Sequence, residues 1–182
     1  GIPADRVIKT GSPMFEVLTS YRERIAASDV LVRLGLSARE FFLMSFHREE
    51  NVDDSRQLAR AARVANGLAR DFGGRVIVST HPRTRKRLEA DGVELDPKVE
   101  LLKPLAFSCY VKLQMAAKAV LSDSGTITEE ASLLGFPAVT LRQAHERPEG
   151  MDVGTLIMCG LQHERVLQAI EIVISQFADG GT

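Results

Sequence analysis

The sequence has little of what marks nucleic-acid-binding, membrane or disulfide-rich proteins. It contains no tryptophan, two tyrosines and two cysteines, and its 23 lysines and arginines are balanced by 24 aspartates and glutamates. The resulting formal charge of −1 excludes a global basic field of the kind that attracts nucleic acid or an anionic membrane. We therefore expect neither as a partner, and any anion-binding site must be local.

The cysteines and the lack of long apolar runs indicate where the protein works. Cys109 and Cys159 show no CxxC spacing and no pairing pattern, which predicts reduced, buried thiols in a cytoplasmic protein. No apolar run reaches the roughly 18 residues of a membrane helix, and no charged-then-apolar leader opens the chain. Because Gly1 stands where an initiator Met would, we expect the chain to be part of something longer.

Signatures of several catalytic sites are missing as well. His47, His81 and His145 could converge with Asp123, but the chain has no HExxH motif and no paired cysteines. It also lacks the GxSxG elbow of a serine hydrolase and the GxGxxG fingerprint of a dinucleotide-binding domain. We therefore expect no metal ion and no cofactor.

What the sequence does contain is an alternation of apolar, strand-like runs with helical stretches. At 182 residues and 45% hydrophobic, the chain can bury a core and fits one domain over residues 1–182. The alternation predicts an α/β fold with a doubly wound parallel sheet covered by helices on both faces. The strand-like runs are Phe41–Ser45, Arg75–Ser79, Val99–Leu102, Ala119–Ser122 and Ala138–Leu141. The helical stretches are Pro13–Leu34, Asp53–Arg70 (which Gly73-Gly74 should end), Pro82–Ala90, Ser108–Ala117, Thr126–Leu134 and Arg165–Phe177.

Loops that follow the strands should hold the chemistry. The carboxyl ends of parallel strands meet at one edge of a sheet, and ligands bind in the crevice there. Three of the four histidines and a group of arginines fall in these loops although they are scattered along the sequence. The loops are His47–Asn51, Thr80–Thr84, Lys103–Phe107, Ser122–Thr126 and Arg142–Gly150.

The segment "SDSGT" joins a strand to a helix. Gly125 lets the backbone approach a ligand closely, and the free amides at the start of the helix favour a phosphate. The alternative is a tight turn in which Thr126 and Glu129 form a capping box. A carboxylate one turn into the helix, at Glu129 or Glu130, could also reach from the phosphate toward sugar hydroxyls.

Other polar residues in the loops allow two interpretations each. Arg147 offers planar donors suited to phosphate, or it pairs at the surface with a neighbouring glutamate. His47 directly follows a buried strand, where it could donate to an anion or transfer a proton, or it is a satisfied structural histidine. We assign His81 a structural or supporting role and expect His163 to be solvated.

Four segments together resemble the non-hydrolysing UDP-N-acetylglucosamine 2-epimerase family. They are "TGSPMFEVL", "SFHREEN", "SDSGTITEEASLLGFPAVTLR" and "HERPEG", in the order and spacing of the family. The resemblance covers nearly the whole chain but only the C-terminal half of the family. It implies a Rossmann-like domain of a two-domain, GT-B-like enzyme with its active site between the domains. The absent N-terminal domain would supply the carboxylates that handle the proton at carbon two of the sugar.

The resemblance also assigns roles to residues of the nucleotide site. It places the diphosphate on Ser124, Gly125 and Thr126, the ribose on Glu130, and an aromatic contact near the uracil on Tyr110. The interpretation of the loop from its residue types alone agrees with the assignments of the diphosphate and the ribose. The implied ligand is a UDP-sugar.

Two further residues and a reaction follow from the same resemblance. Arg147 matches the arginine of the family's ERP sequence and His47 its active-site histidine. The implied reaction is elimination of UDP to a bound glycal, then re-addition with inversion at carbon two, in a homodimer when full length. Gly125-Thr126 and "AHERPEGM" are most similar to the subgroup that acts on UDP-6-deoxy amino sugars. The alternatives are the nucleotide-sugar domain of a GT-B glycosyltransferase and a non-enzymatic nucleotide-sensing domain.

Overall fold

A six-stranded parallel sheet forms the centre of the protein in the computed structural model, which describes residues 11–46, 53–142 and 156–178. The strands lie in the order β3-β2-β1-β4-β5-β6, and every neighbouring pair is parallel. Their bounds are β1 Phe41–Ser45, β2 Arg75–Ser79, β3 Val99–Leu102, β4 Ala119–Ser122, β5 Ala138–Thr140 and β6 Leu156–Met158. The described helices are α1 Pro13–Ala26, α2 Val30–Leu34, α3 Ser55–Asp71, α4 Pro82–Ala90, α5 Phe107–Ala116, α6 Ile127–Leu134 and α7 His163–Ala178.

This strand order is that of the Rossmann-like, doubly wound fold, which confirms the predicted fold class. The order reverses between β1 and β4, so a crevice opens outside their carboxyl ends. Ser45 at the end of β1 pairs in register with Ser122 at the end of β4. The residues that follow these two strands therefore lie side by side at the switch point.

Helices cover both faces of the sheet because its central strands are apolar on both sides. In β1, Phe42 and Met44 belong to one hydrophobic cluster, which includes side chains of α3 and α7. Phe41 and Leu43 belong to another, which includes side chains of α5 and α6. All five residues of β1 are buried, as expected for the centre of a parallel sheet.

Local signals set the ends of the helices. Asp54 caps α3, since its Oδ1 accepts a hydrogen bond from the Arg56 amide at 2.8 Å. The expected stop after α3 is confirmed, because Gly73 has φ 68°, a left-handed conformation that glycine adopts without strain. Gly135 ends α6 in the same way with φ 63°.

Several boundaries differ from the sequence predictions, and the ends of α3, α5, α6 and α7 move by one or two residues. The front helical region Pro13–Leu34 is two helices, because Ala27–Asp29 interrupts it. The strand predicted over Ala138–Leu141 ends at Thr140. Strand β6 was missed, since three apolar residues are too short a run to distinguish from a loop.

The two cysteines are free, as expected, but the prediction that both are buried is wrong. Cys109 and Cys159 are each half-buried. Cys109 lies near the start of α5, where Ser28 Oγ donates to its Sγ at 3.4 Å. This hydrogen bond is the main cause that lowers the pKa of Cys109, whereas burial raises the pKa of Cys159 to about 12. Among the described helices, none is long and apolar enough to cross a bilayer.

Candidate functional site at the carboxyl ends of β1 and β4

A turn of small hydroxyl residues connects β4 to α6. The amide of Ser124 donates to Ser122 Oγ at 3.0 Å, and the hydroxyls of Ser124 and Thr126 are 2.9 Å apart. Ser124, Gly125 and Thr126 are each half-buried. The backbone bond from Glu130 N to Thr126 O, at 2.9 Å, is the first of α6. The amides of the first helical turn therefore have no carbonyl of their own helix to bind, and they point out of its N-terminus.

The proposed capping box at this junction is not formed. Thr126 occupies the N-cap position but makes no side-chain hydrogen bond to the helix. Its hydroxyl pairs with Ser124 instead. Glu129 does not turn back to the cap either, because its Oε2 accepts a hydrogen bond from Ser12 Oγ at 2.6 Å. The hydroxyls are thus arranged around the turn and not committed to capping α6.

Beneath the turn lies a buried polar network. The hydroxyls of Ser45 and Ser122 are 2.7 Å apart, and the hydroxyl of Tyr110 from α5 lies close to Ser45. Burial of that hydroxyl is the main cause that raises the pKa of Tyr110 to about 12, and the nearby charges of Glu130 and Asp123 raise it further. Tyr110 is therefore a neutral phenol at physiological pH.

Glu130 lies in the first turn of α6 and is buried, with 8% of its surface exposed. Its Oε2 accepts a hydrogen bond from Gln114 Nε2 of α5 at 2.6 Å. Gln114 is 1% exposed, and its Oε1 is buried without a hydrogen-bond partner among the described residues. A carboxylate is thus held in a low-dielectric position by a neutral amide.

Sequence reasoning missed Gln114, although a signal was present. The residue falls one helical turn after Tyr110 in the largely apolar stretch "YVKLQMAA", whose other charged or amide side chain is Lys112. A single amide at an inward-facing helical position indicates a buried polar contact.

The structure brings together five of the seven residues predicted for the site. Ser124, Gly125, Thr126, Glu130 and Tyr110 all lie at or beside the carboxyl ends of β1 and β4. His47 and Arg147 lie outside the described residues, and so does His145. Within the described ranges no three His, Cys, Asp or Glu side chains are grouped as metal ligands.

The two remaining histidines lie away from this turn. His81 is the N-cap of α4, and its Nδ1 accepts a hydrogen bond from the Arg83 amide at 3.3 Å, in keeping with the structural role expected for it. The expectation that His163 is solvated is wrong. Its ring packs against Gly67 of α3, and its Nδ1 is buried. Two helices approach closely here because Gly67 has no side chain.

Comparison with known proteins identifies relatives of this chain. The family model of UDP-N-acetylglucosamine 2-epimerase matches residues 1–180. The UDP-N-acetylglucosamine 2-epimerase of Methanocaldococcus jannaschii is 30% identical over 184 residues, which cover 97% of this chain and 50% of that protein. The chain thus spans about half the length of the curated relatives it matches.

Solved structures show the same relationship. The structure of UDP-N-acetylglucosamine 2-epimerase from Rickettsia bellii has a TM-score of 0.82 at 47% identity, over 96% of this chain and 46% of that one. The Methanocaldococcus jannaschii enzyme in complex with UDP-GlcNAc and UDP has a TM-score of 0.85 at 28% identity, over 95% and 49%. The sheet and its helices therefore match half of these GT-B-like epimerase structures. The chain belongs to the UDP-N-acetylglucosamine 2-epimerase family.

Proposed function

We propose that this chain is the UDP-binding, C-terminal half of an enzyme that inverts carbon two of a UDP-sugar. The observation that carries the proposal is the convergence of the hydroxyl turn and Glu130 at the switch point between β1 and β4. The turn offers donors to a diphosphate, and the carboxylate offers acceptors to a ribose. The complexes of relatives with UDP-GlcNAc support this choice of ligand.

The diphosphate is proposed to lie against Ser124, Gly125 and Thr126. Amides at the N-terminus of α6 and the dipole of that helix stabilise negative charge there. Gly125 is not among the described glycines with a positive φ, so the backbone conformation does not require a glycine at this position. We propose that position 125 is a glycine because the phosphate approaches the main chain closely there.

Glu130 is proposed to accept hydrogen bonds from the ribose hydroxyls. Gln114 binds one of its oxygens, Oε2, which leaves Oε1 for the ligand. A hydrogen bond to a charged group contributes about 1.5–3 kcal/mol. Tyr110 lies near enough to Glu130 for the charge of that carboxylate to raise its pKa, and we retain it as the proposed contact near the uracil.

The proposed reaction has two steps. A base removes the proton from carbon two while the bond from carbon one to the diphosphate oxygen breaks, so that the electron pair leaves with UDP and a glycal remains. UDP then adds back at carbon one while carbon two is reprotonated on its other face. The hydroxyl turn stabilises the charge on the leaving diphosphate. Arg147 and His47, both outside the described residues, are proposed to add to that stabilisation.

The base is proposed to reside in the other half of the enzyme. General base catalysis needs a group within hydrogen-bond reach of the proton, and the family resemblance assigns it to carboxylates absent from this chain. We further propose a homodimer of the full-length protein, working in the cytoplasm, where free thiols such as Cys109 and Cys159 stay reduced. The sugar is proposed to be UDP-N-acetylglucosamine or a UDP-6-deoxy amino sugar.

Solvent isotope exchange in the full-length protein tests this function. With UDP-N-acetylglucosamine and a UDP-6-deoxy amino sugar in deuterium oxide, we expect deuterium at carbon two of one of them, detected by mass spectrometry and NMR. The 182-residue chain alone serves as the control and should give no exchange. Transfer of the sugar to an acceptor without exchange would indicate a glycosyltransferase. Binding without any turnover would indicate a sensing domain.

A further inference from the structure

We propose that Gln114 is a positioning residue that sets the preference of this site for ribose over deoxyribose by holding Glu130. The proposal deepens the proposed UDP-binding function and rests on it. Its basis is the 2.6 Å hydrogen bond from Gln114 Nε2 to Glu130 Oε2, formed between two residues that are 1% and 8% exposed.

The contact joins two separate helices at the nucleotide site. Gln114 lies in the last turn of α5 and Glu130 in the first turn of α6, directly after the hydroxyl turn. A buried glutamate has three side-chain torsions, and a short hydrogen bond to a fixed donor restricts them. Gln114 therefore fixes where the second carboxylate oxygen of Glu130 lies.

The chemical nature of the donor fits this task. A lysine or arginine at position 114 would form an ion pair and compete with the ligand for the carboxylate. The amide of Gln114 donates one hydrogen bond and leaves the negative charge in place. Glu130 thus keeps its strength as an acceptor for ribose hydroxyls.

The other end of the amide argues against a purely stabilising role. Gln114 Oε1 is buried without a hydrogen-bond partner among the described residues, and such a group costs free energy. The reverse orientation would place that oxygen against the Glu130 carboxylate, acceptor against acceptor. A methionine of similar size would fill the same space without the unpaired oxygen. The amide is therefore better explained by its contact with Glu130 than by packing.

The consequence is a specific dependence on the sugar hydroxyls of the nucleotide. If Gln114 acts through Glu130, its loss should lower the affinity for nucleotides that carry those hydroxyls. The affinity for nucleotides that lack them should stay the same. Loss of a residue that only maintains the fold would lower the affinity for all the nucleotides alike. The ratio of affinities for UDP and its deoxy analogues separates the two roles.

Calorimetric titration with UDP, 2′-deoxy-UDP and 3′-deoxy-UDP tests this inference. We expect the chain to prefer UDP over at least one analogue by about 10- to 100-fold. Gln114→Met should reduce that preference to less than about threefold while the affinity for the analogue changes by less than about twofold. The matched control is Gln168→Met, an exposed glutamine on α7 across the sheet, and it should keep the full preference.

Glu130→Gln supplies the second half of the test. The double variant Gln114→Met/Glu130→Gln should show the same preference as Glu130→Gln alone, because the two residues act as one unit. Should Gln114→Met fail to fold, Gln114→Asn takes its place, since its amide is one methylene too short to reach Glu130.

The outcomes distinguish the inference from the proposed function. The positioning role alone would be overturned by a folded Gln114 variant whose affinity for UDP and its analogues falls equally. A folded variant that keeps the full preference for UDP would overturn it as well. A wild-type chain that binds none of the nucleotides would overturn the UDP-binding function.

Discussion

Ser12 Oγ donates a hydrogen bond to Glu129 Oε2 at 2.6 Å, which joins the residue preceding α1 to the helix that follows the hydroxyl turn. Ser12 also caps α1, because its Oγ accepts a bond from the Met14 amide at 3.1 Å. The adjacent Glu130 faces Gln114 instead. Two neighbouring carboxylates in α6 thus bind different elements, Glu129 the residue before α1 and Glu130 the helix α5.

Removal of the Ser12 hydroxyl should destabilise the fold. Ser12→Ala loses both the cap of α1 and the contact to α6, so we expect the free energy of unfolding to fall by about 1–2 kcal/mol. Urea denaturation monitored by circular dichroism measures this. Ser20→Ala is the matched control on α1, since the exposed Ser20 hydroxyl binds only a carbonyl of its own helix, Val17 O, at 2.8 Å. Equal stability of the two variants would rule out a structural role for the Ser12 contacts.

The close approach of α3 and α7 predicts an unusual result for a helical glycine. Alanine normally stabilises a helix relative to glycine, by about 1 kcal/mol. At Gly67, however, a Cβ would overlap the ring of His163, so Gly67→Ala should destabilise the protein by about 1–3 kcal/mol. In the background of His163→Ala the same change should become neutral or stabilising. A double-mutant cycle by thermal unfolding measures the coupling, and additive effects would contradict the packing described here.

Gly125 and Gly135 flank α6, and substitution by alanine should affect different properties at the two positions. It should lower stability at Gly135 and UDP affinity at Gly125. Gly135→Ala forces a residue with a Cβ into φ 63°, so we expect it to lower stability by about 1 kcal/mol without changing UDP affinity. Gly125→Ala meets no such backbone constraint and should fold normally. Its methyl group should instead weaken UDP binding at least about tenfold, by blocking the phosphate. A Gly125→Ala variant with unchanged UDP affinity would remove Gly125 from the proposed site.

Tyr110 predicts how stability changes at alkaline pH. Its pKa is raised to about 12 in the folded protein, above the ordinary value of about 10. The stabilisation is therefore fully present below pH 10 and is lost as the pH rises from about 10 to 12, by at most about 1.4 kcal/mol per pH unit. Tyr110→Phe has no hydroxyl to ionise, so the stability of the wild type should fall relative to that of Tyr110→Phe as the pH rises from about 10 to 12. Urea denaturation series at several pH values measure this, and a constant difference between the two proteins would show that Tyr110 ionises normally.

Much of the fold could be predicted from the sequence because its signals are local. Pro82 at the start of α4, Asp54 before α3 and Gly73 after it fix helix ends by short-range chemistry. Strand β1 was recognisable because its first four residues, which are all buried, form a continuous apolar run. Three-residue β6 carries no such pattern, and its pairing with β5 depends on tertiary contacts.

The residue types of the candidate site could be predicted from the sequence, but the hydrogen-bond partners of those residues could not. The strand-to-helix junction at Ser124–Thr126 follows from the pattern, since a glycine between hydroxyl residues stands where an apolar run changes to a helix. The partner of each glutamate does not follow, because Ser12 and Gln114 belong to other elements, 117 and 16 residues away, and reach α6 only through tertiary packing. The packing of His163 against α3 was missed for the same reason, as it depends on a glycine in another helix.

The most direct test of the central claim is calorimetric titration of UDP into the chain and two matched variants, Glu130→Gln and Glu129→Gln. We predict weak but measurable binding of UDP by the wild type, because the proposed diphosphate and ribose contacts lie in this chain, whereas we propose that the opposite wall belongs to the other half of the enzyme. Glu130→Gln should lower the affinity by about 10- to 100-fold, and Glu129→Gln, whose carboxylate is bound by Ser12, should change it by less than about threefold. Absence of UDP binding, or equal affinity of the wild type and a folded Glu130→Gln, would contradict the account.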